Sequence, residues 1–384
     1  MRTPWPRSPT FPLFSGSPCG LPSPQYWRGG CCGWPGSIPQ RRRLITHATL
    51  EIGVPAAKSS LFCQGIPMWL PSLIFVLGLI ILTVGADLFI RGAAGLGARF
   101  GLSSFVIGMV IVGFGTSAPE LAVNLTAAYS GHYDLALGNV VGSNIVNIGL
   151  ILGLSALLAP MVIHLRMLRV ETPLLIATSG WLWLLARDGI LARWEGLLLL
   201  AAQFALTWFV LRSGRQESAA VRAEISAEIS PPQRGSSTLW LLGIGLAGLI
   251  GGGMLAVDAA VQVARGLGIS ELIIGLTVVA IGTSLPELAS SAVAAWRGHS
   301  DIAVGNIIGS NLFNILFILG ITASIQPLPV APALEHIEIP IMIGFTVLLY
   351  LIMRRQMRIG RRAGTLLLLA YLGTVGWQVQ RALG

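Results

Sequence analysis

Glu120 and Glu287 each follow a proline about midway through otherwise apolar runs, residues 104–128 and 271–296, with no Lys or Arg close by in sequence. An ionised carboxylate at the centre of a bilayer costs at least about 2.5 kcal/mol unless it is paired or solvated. The neighbouring residues indicate what would pair it. Pro119 and Pro286 have no N–H, so the carbonyls of Gly115 and Gly282 lose their helical donors and the turns around Thr116 and Thr283 are disturbed. Carbonyls freed at membrane depth are tolerated where they line a cavity or meet a partner. Thr116 and Glu120 are four residues apart, as are Thr283 and Glu287, a spacing that predicts one shared face. With Ser117 and Ser284 beside them, each segment offers carbonyl, hydroxyl and carboxylate oxygens together. That is the chemistry of a cation site.

A second polar stripe follows each glutamate. Asn139, Ser143 and Asn147 are spaced by four, and Asn306, Ser310 and Asn314 repeat the pattern. Ser143, Ser310, Asn147 and Asn314 are expected to line the site, with Asn139 and Asn306 structural. Gly138 and Gly142, like Gly305 and Gly309, form small-residue faces that permit close helix approach. The segments hold no cysteine, and their histidines are confined to short loops, so zinc, copper and iron fit poorly. The oxygens can supply the six to eight ligands that Ca²⁺ takes, or, divided differently, several Na⁺ sites; Mg²⁺, which keeps its waters, suits them less. Asp134 and Asp301 are expected to cap the stripe helices, with His132 and His299 as loop residues. Asp87, Arg91 and Asp258 are expected to pair or to line an ion path.

The two polar sets are copies of one another. Residues 108–150 return at 275–317 with a constant offset of 167 and no gap, and 22 of the 43 paired positions are identical. Drift under a requirement for hydrophobicity alone would have lost the polar atoms. They stayed, so both copies are expected to serve one site.

Ten apolar runs approach the length of a spanning helix: roughly 70–91, 104–128, 137–159, 171–187, 194–212, 238–264, 271–296, 304–324, 336–353 and 364–381. With 54% apolar and 11% charged residues and a mean hydropathy of +0.75, the chain is expected to be an all-α integral membrane protein. Five spans (68–212) precede a polar linker (213–237) and five (238–384) follow it. Equivalent helices are five spans apart, an odd number, so the halves must insert in opposite orientations, an inverted-topology repeat. Fourteen arginines flank the loops on the linker side against four on the other, which places the linker in the cytoplasm.

Residues 1–67 hold 11 of the 22 prolines, all four cysteines and seven of the 25 basic residues. This stretch is expected to be a disordered or mis-called extension, with Met68 as the natural start. It also accounts for most of the formal charge of +9, which therefore does not indicate nucleic-acid binding. No disulfide or thiolate site can support the membrane part. No nucleophile–base pair or cofactor motif is present, so no enzymatic activity is expected.

GTSAPE followed by GNVVGSNIVN, and GTSLPE followed by GNIIGSNLFN, resemble the paired α-repeats of the sodium/calcium exchanger family, within the calcium/cation antiporters. The resemblance covers residues 68–384, and two intact motifs in order make it specific. It implies a bacterial-type ten-helix exchanger of the inner membrane that alternates between inward- and outward-open states. It implies Glu120 and Glu287 as central ligands, with oxygens from Thr116, Ser117, Thr283 and Ser284, and further ligands at Ser143, Asn147, Ser310 and Asn314. Some members carry aspartate at one of the positions matched by Asn147 and Asn314. Asparagine at both leaves two carboxylates rather than three and weakens a potassium-cotransport reading. The expected activity is export of Ca²⁺ against inward Na⁺, the two ions competing for the glutamates. A proton-driven exchanger on the same fold is the alternative, and a passive cation channel the lesser one. Ca²⁺, Na⁺ and the lipid bilayer are the expected partners, with no cofactor, nucleic acid or obligatory protein partner.

Overall fold

The computed structural model describes residues 69–214, 235–267 and 280–383. The extension at 1–67, most of the linker and the first part of the 271–296 span lie outside them. Apart from four two-residue strands, the regular secondary structure described is helical. The first half contributes α1 (Trp69–Phe100), α2 (Ser104–Thr116), α3 (Ala118–Tyr129), α4 (Tyr133–Leu158), α5 (167–185) and α6 (Arg193–Gly214). The second contributes α7 (Gly235–Gly266), α8 (Leu285–Trp296), α9 (Ser300–Ile325), α10 (Leu334–Gln356) and α11 (Arg361–Leu383). Six of these helices are long and apolar enough to cross a membrane alone, and the bent pair α2–α3 makes a seventh candidate.

Where the expected spans are described, they coincide with helices within a few residues, with one difference. The 70–91 run stops at Arg91, whereas α1 continues to Phe100. Hydropathy marks the part of a helix that suits lipid, while an Ala- and Leu-bearing segment goes on winding beyond it. Arg91 is accommodated there by an ion pair one turn back, its Nη2 3.0 Å from Asp87 Oδ2.

The stripe helices α4 and α9 are largely buried and form the centre of the molecule, whereas α1, α6 and α7 are much less buried. The exposed faces are apolar: Leu73, Val76, Leu77, Ile80 and Val84 on α1, and Leu197, Phe204 and Trp208 on α6. Such a surface suits lipid rather than water. Arginine lies over the tryptophan one turn before it near three helix ends, at Trp183–Arg187, Trp208–Arg212 and Trp377–Arg381, as anchors at a membrane–water boundary do.

The two halves exchange equivalent contacts. Met161–Val162 pairs antiparallel with Arg358–Ile359, and Ile190–Leu191 with Leu328–Pro329. Each half thus gives a strand to the other. The last helix of each half packs on the stripe helix of its partner: α11 meets α4 at Gly364 and Gly153, and α6 meets α9 at Gly196 and Gly320. A Cβ at Gly153 would stand 3.1 Å from the Gly364 carbonyl oxygen, and one at Gly320 would stand 3.2 Å from that of Gly196. These reciprocal contacts give the described residues an approximate twofold relation. On the outside, α1 and α7 lie against each other so closely that a Cβ on Gly85 would be 2.6 Å from the Leu249 backbone nitrogen.

Candidate cation site

The first motif breaks its span at Ser117, where φ is −82° and ψ 9°, and the second breaks at Ser284, with φ −90° and ψ 8°. Across the first break the axis bends by 43°. The prolines fall in the first turns of α3 and α8, where a missing N–H costs nothing inside the new helix. The glutamates follow directly, also in the first turn, and each is only 1% exposed.

The serines that begin these helices do not cap them. Ser117 Oγ donates to Glu287 Oε1 at 3.0 Å, and Ser284 Oγ donates to Glu120 Oε1 at 3.4 Å. Each motif therefore holds the carboxylate of the other. Thr116 and Glu120 stand on either side of a 43° bend. Thr116, 0% exposed, donates to Asn306 Oδ1 at 3.3 Å.

The stripe residues bond across the two halves. Ser310 Oγ reaches the Gly113 carbonyl oxygen at the end of α2 at 3.5 Å. Asn314 Nδ2 donates to Ser143 Oγ at 3.3 Å and to Asn144 Oδ1 at 3.1 Å, while Asn147 Nδ2 donates to Asn311 Oδ1 at 2.9 Å. Asn147 and Asn314 each open a stretch of wide π-helical turns, a distortion frequent at functional positions. Ser117, Ser284, Glu120 and Glu287 are thus in direct contact across the halves, while Ser143, Asn147 and Asn314 bond in a second cluster with Asn144 and Asn311. Thr283, half-buried, makes no hydrogen bond through its hydroxyl among the described residues.

What remains unpartnered is mostly oxygen. Glu120 Oε2, Glu287 Oε2, Asn147 Oδ1, Asn314 Oδ1, Asn124 Oδ1 and Thr283 Oγ1 are buried and find no hydrogen-bond partner among the described residues. Buried acceptors are ordinarily satisfied, and five of these six atoms can only accept. No group of three or more His, Cys, Asp or Glu suited to a metal occurs among the described residues. The donor set is two carboxylates with neutral amide and hydroxyl oxygens, which fits a hard cation and not a soft one.

Sequence reasoning passed over Asn124, Asn144 and Asn311. Asn124 lies one turn after Glu120 and gives its Nδ2 to that residue's carbonyl oxygen at 3.2 Å. Asn144 and Asn311 are identical across the repeat, and that identity was the available signal; the every-fourth-residue stripe does not include them. Asn306 pins Thr116 and is itself held by Ser290 Oγ and Ser291 Oγ, which accept from its Nδ2 at 3.0 and 2.8 Å. Its counterpart Asn139 has Val123 and Asn124 at those positions, and its Nδ2 is unpartnered among the described residues. The two half-sites are therefore not equal.

The capping expectation needs correction. His132 and His299 occupy the cap positions, and Asp134 and Asp301 lie further in, within the first turn. Asp301 instead faces His164, whose Nε2 is 2.9 Å from Asp301 Oδ2. Asp87 pairs with Arg91 and with Arg297 at the end of α8, while Asp258 is exposed on α7.

The sodium/calcium exchanger protein family matches this chain twice, at residues 70–212 and 237–380, once over each half. The chain belongs to that family. The sodium/calcium exchanger MaX1 of Methanosarcina acetivorans is 31% identical over 336 residues, covering 78% of this chain and 96% of MaX1. The inner membrane protein YrbG of Escherichia coli K12 is 38% identical over 307 residues, covering 78% of this chain and 94% of YrbG. Among solved structures, the sodium-calcium exchanger NCX_Mj soaked with 100 mM Na⁺ and 10 mM Sr²⁺ superposes with a TM-score of 0.70 at 32% identity, over 81% of this chain and 99% of that one. The protein is thus a multi-pass helical membrane exchanger.

Proposed function

We propose that the chain is a secondary antiporter of the bacterial inner membrane that exports Ca²⁺ in exchange for Na⁺. In this reading ten spans form two inverted five-helix halves, 68–212 and 238–384, with the linker in the cytoplasm. The observation that carries it is the crossed pair of buried carboxylates, each held by the other motif's serine with one oxygen left over.

Charge explains why such a site would exchange rather than leak. No cationic side chain among the described residues is paired with Glu120 or Glu287. Two uncompensated carboxylates in a low-dielectric interior are costly, so an empty, closed site is disfavoured and the protein switches only when loaded. One Ca²⁺ cancels both charges. Na⁺ ions can do the same using the amide and hydroxyl oxygens, and competition for shared carboxylates couples the two fluxes. MaX1 and NCX_Mj, both sodium/calcium exchangers, support the assignment of the ions. Access would alternate as α1 and α7, held to each other by close backbone contacts, move together over the central helices.

The test is ⁴⁵Ca²⁺ flux in liposomes with sodium and proton gradients imposed separately. Uptake driven by sodium, with saturation and a requirement for the counter-ion, is expected. Uptake driven by a pH gradient without sodium would replace Na⁺ with H⁺, and flux without any counter-ion would overturn antiport.

A further inference from the structure

Asn144 and Asn311 cross the centre of the molecule, 167 residues apart, at equivalent places in α4 and α9. Asn144 Nδ2 donates to the Asn311 carbonyl oxygen at 3.3 Å, and Asn311 Nδ2 donates to the Asn144 carbonyl oxygen at 3.4 Å. Asn144 Nδ2 also touches Met342 Sδ at 3.5 Å. The side-chain oxygens then receive the ligand amides: Asn311 Oδ1 accepts from Asn147 Nδ2 and Asn144 Oδ1 from Asn314 Nδ2. All four asparagines are at most 1% exposed.

We propose that Asn144 and Asn311 are positioning residues that determine which end of the Asn314 and Asn147 amides faces the cation. The inference rests on the cation-exchange reading above and deepens it.

The orientation follows from donor and acceptor chemistry alone. A backbone carbonyl can only accept, so the Nδ2 end of Asn144 and of Asn311 must face it. Their Oδ1 ends must then point the other way, and an amide oxygen can only accept. The neighbouring Asn314 and Asn147 must therefore present Nδ2 to them, which leaves Oδ1 of both ligand amides turned away and unpartnered. An amide turned through half a circle has almost the same shape, but it would aim two N–H bonds at a cation and set oxygen against oxygen behind. Two hydrogen bonds in series thus select the attracting orientation over the repelling one. The links are crossed in a definite way: Asn311 orients Asn147, and Asn144 orients Asn314.

That crossing separates positioning from a general contribution to stability. The purified chain is reconstituted, and sodium-driven ⁴⁵Ca²⁺ uptake is measured as half-saturating Ca²⁺ and maximal rate. Ca²⁺-induced thermal stabilisation in detergent gives a second reading of binding. Asn311→Leu is expected to raise half-saturating Ca²⁺ by about ten-fold, the scale of one lost interaction with a charge, with a smaller change in maximal rate. Combined with Asn147→Ala it should add nothing further, whereas combined with Asn314→Ala the two effects should multiply. Asn144→Leu should show the opposite pairing. Asn311→Ala replaces Asn311→Leu if the latter is not monodisperse. Half-saturating Ca²⁺ unchanged in a folded variant, or effects that multiply in both combinations, would overturn the inference while leaving the exchanger reading intact. A wild-type chain with neither sodium-driven flux nor stabilisation by Ca²⁺ would remove the exchanger reading, and this inference with it.

Discussion

Ser117 gives its hydroxyl hydrogen to Glu287 at 3.0 Å, although it begins the helix that carries Glu120. A helix-starting serine ordinarily accepts from its own first turn, but here the second residue of that turn is Pro119. The reciprocal bond from Ser284 to Glu120 is longer, at 3.4 Å. A hydrogen bond to a charged group contributes about 1.5–3 kcal/mol, so Ser117→Ala should weaken apparent Ca²⁺ affinity ten-fold or more, by about that energy. Ser284→Ala should weaken it less. Half-saturating Ca²⁺ in reconstituted flux checks the order, and a larger effect from Ser284→Ala would contradict it.

Glu120→Gln and Glu287→Gln should each abolish exchange without preventing folding. Replacing one of two mutually repelling buried charges by a neutral amide relieves the unloaded protein. Each variant is therefore expected to melt at or above the wild-type temperature without Ca²⁺ and to lose most of the Ca²⁺-dependent shift. Thermal unfolding with and without Ca²⁺ measures both. A variant that melts well below wild type in the absence of ions would show that the carboxylate contributes to the fold.

Gly85→Ala tests the α1–α7 contact. The added Cβ would stand 2.6 Å from the backbone nitrogen of Leu249 and 2.7 Å from the Gly248 carbonyl carbon, neither of which can swing aside. The helices must part, at about 1–3 kcal/mol. Maximal rate should fall while half-saturating Ca²⁺ stays near wild type, because the added methyl group meets only the backbone of α7. A raised half-saturating concentration at normal rate would argue against α1 and α7 as the moving pair.

Arg297→Gln removes an ion pair made on one half only. Arg297 binds Asp87 of α1, whereas the equivalent positions in the repeat are Ser130 and Met254. The partners are 36% and 21% exposed, so stability should change by less than about 1 kcal/mol. Contact between α1 and α8 is nevertheless weakened in only one of two otherwise related places. Apparent Ca²⁺ affinity measured from the two membrane sides should therefore shift unequally. An equal shift on both sides would refute this.

The helix boundaries were largely legible because they depend on local properties. Apolar runs marked the helices, and the exception at Arg91 arose because hydropathy reports lipid contact rather than helical hydrogen bonding. The prolines announced breaks, but their positions at Ser117 and Ser284 put Thr116 on the far side of a bend from Glu120. Counting by fours found Asn147 and Asn314 and missed Asn144 and Asn311, whose work is done across the interface and not along their own helix.

By itself the sequence determined that two carboxylates with identical companions would be buried where no basic residue could neutralise them. Hydrophobicity, proline chemistry and a polar repeat are carried by the residues themselves. Only the tertiary structure decided which serine serves which glutamate and which end of each amide is left without a hydrogen-bond partner. Those relations join atoms more than 160 residues apart, and the packing of one half against the other is what sets them.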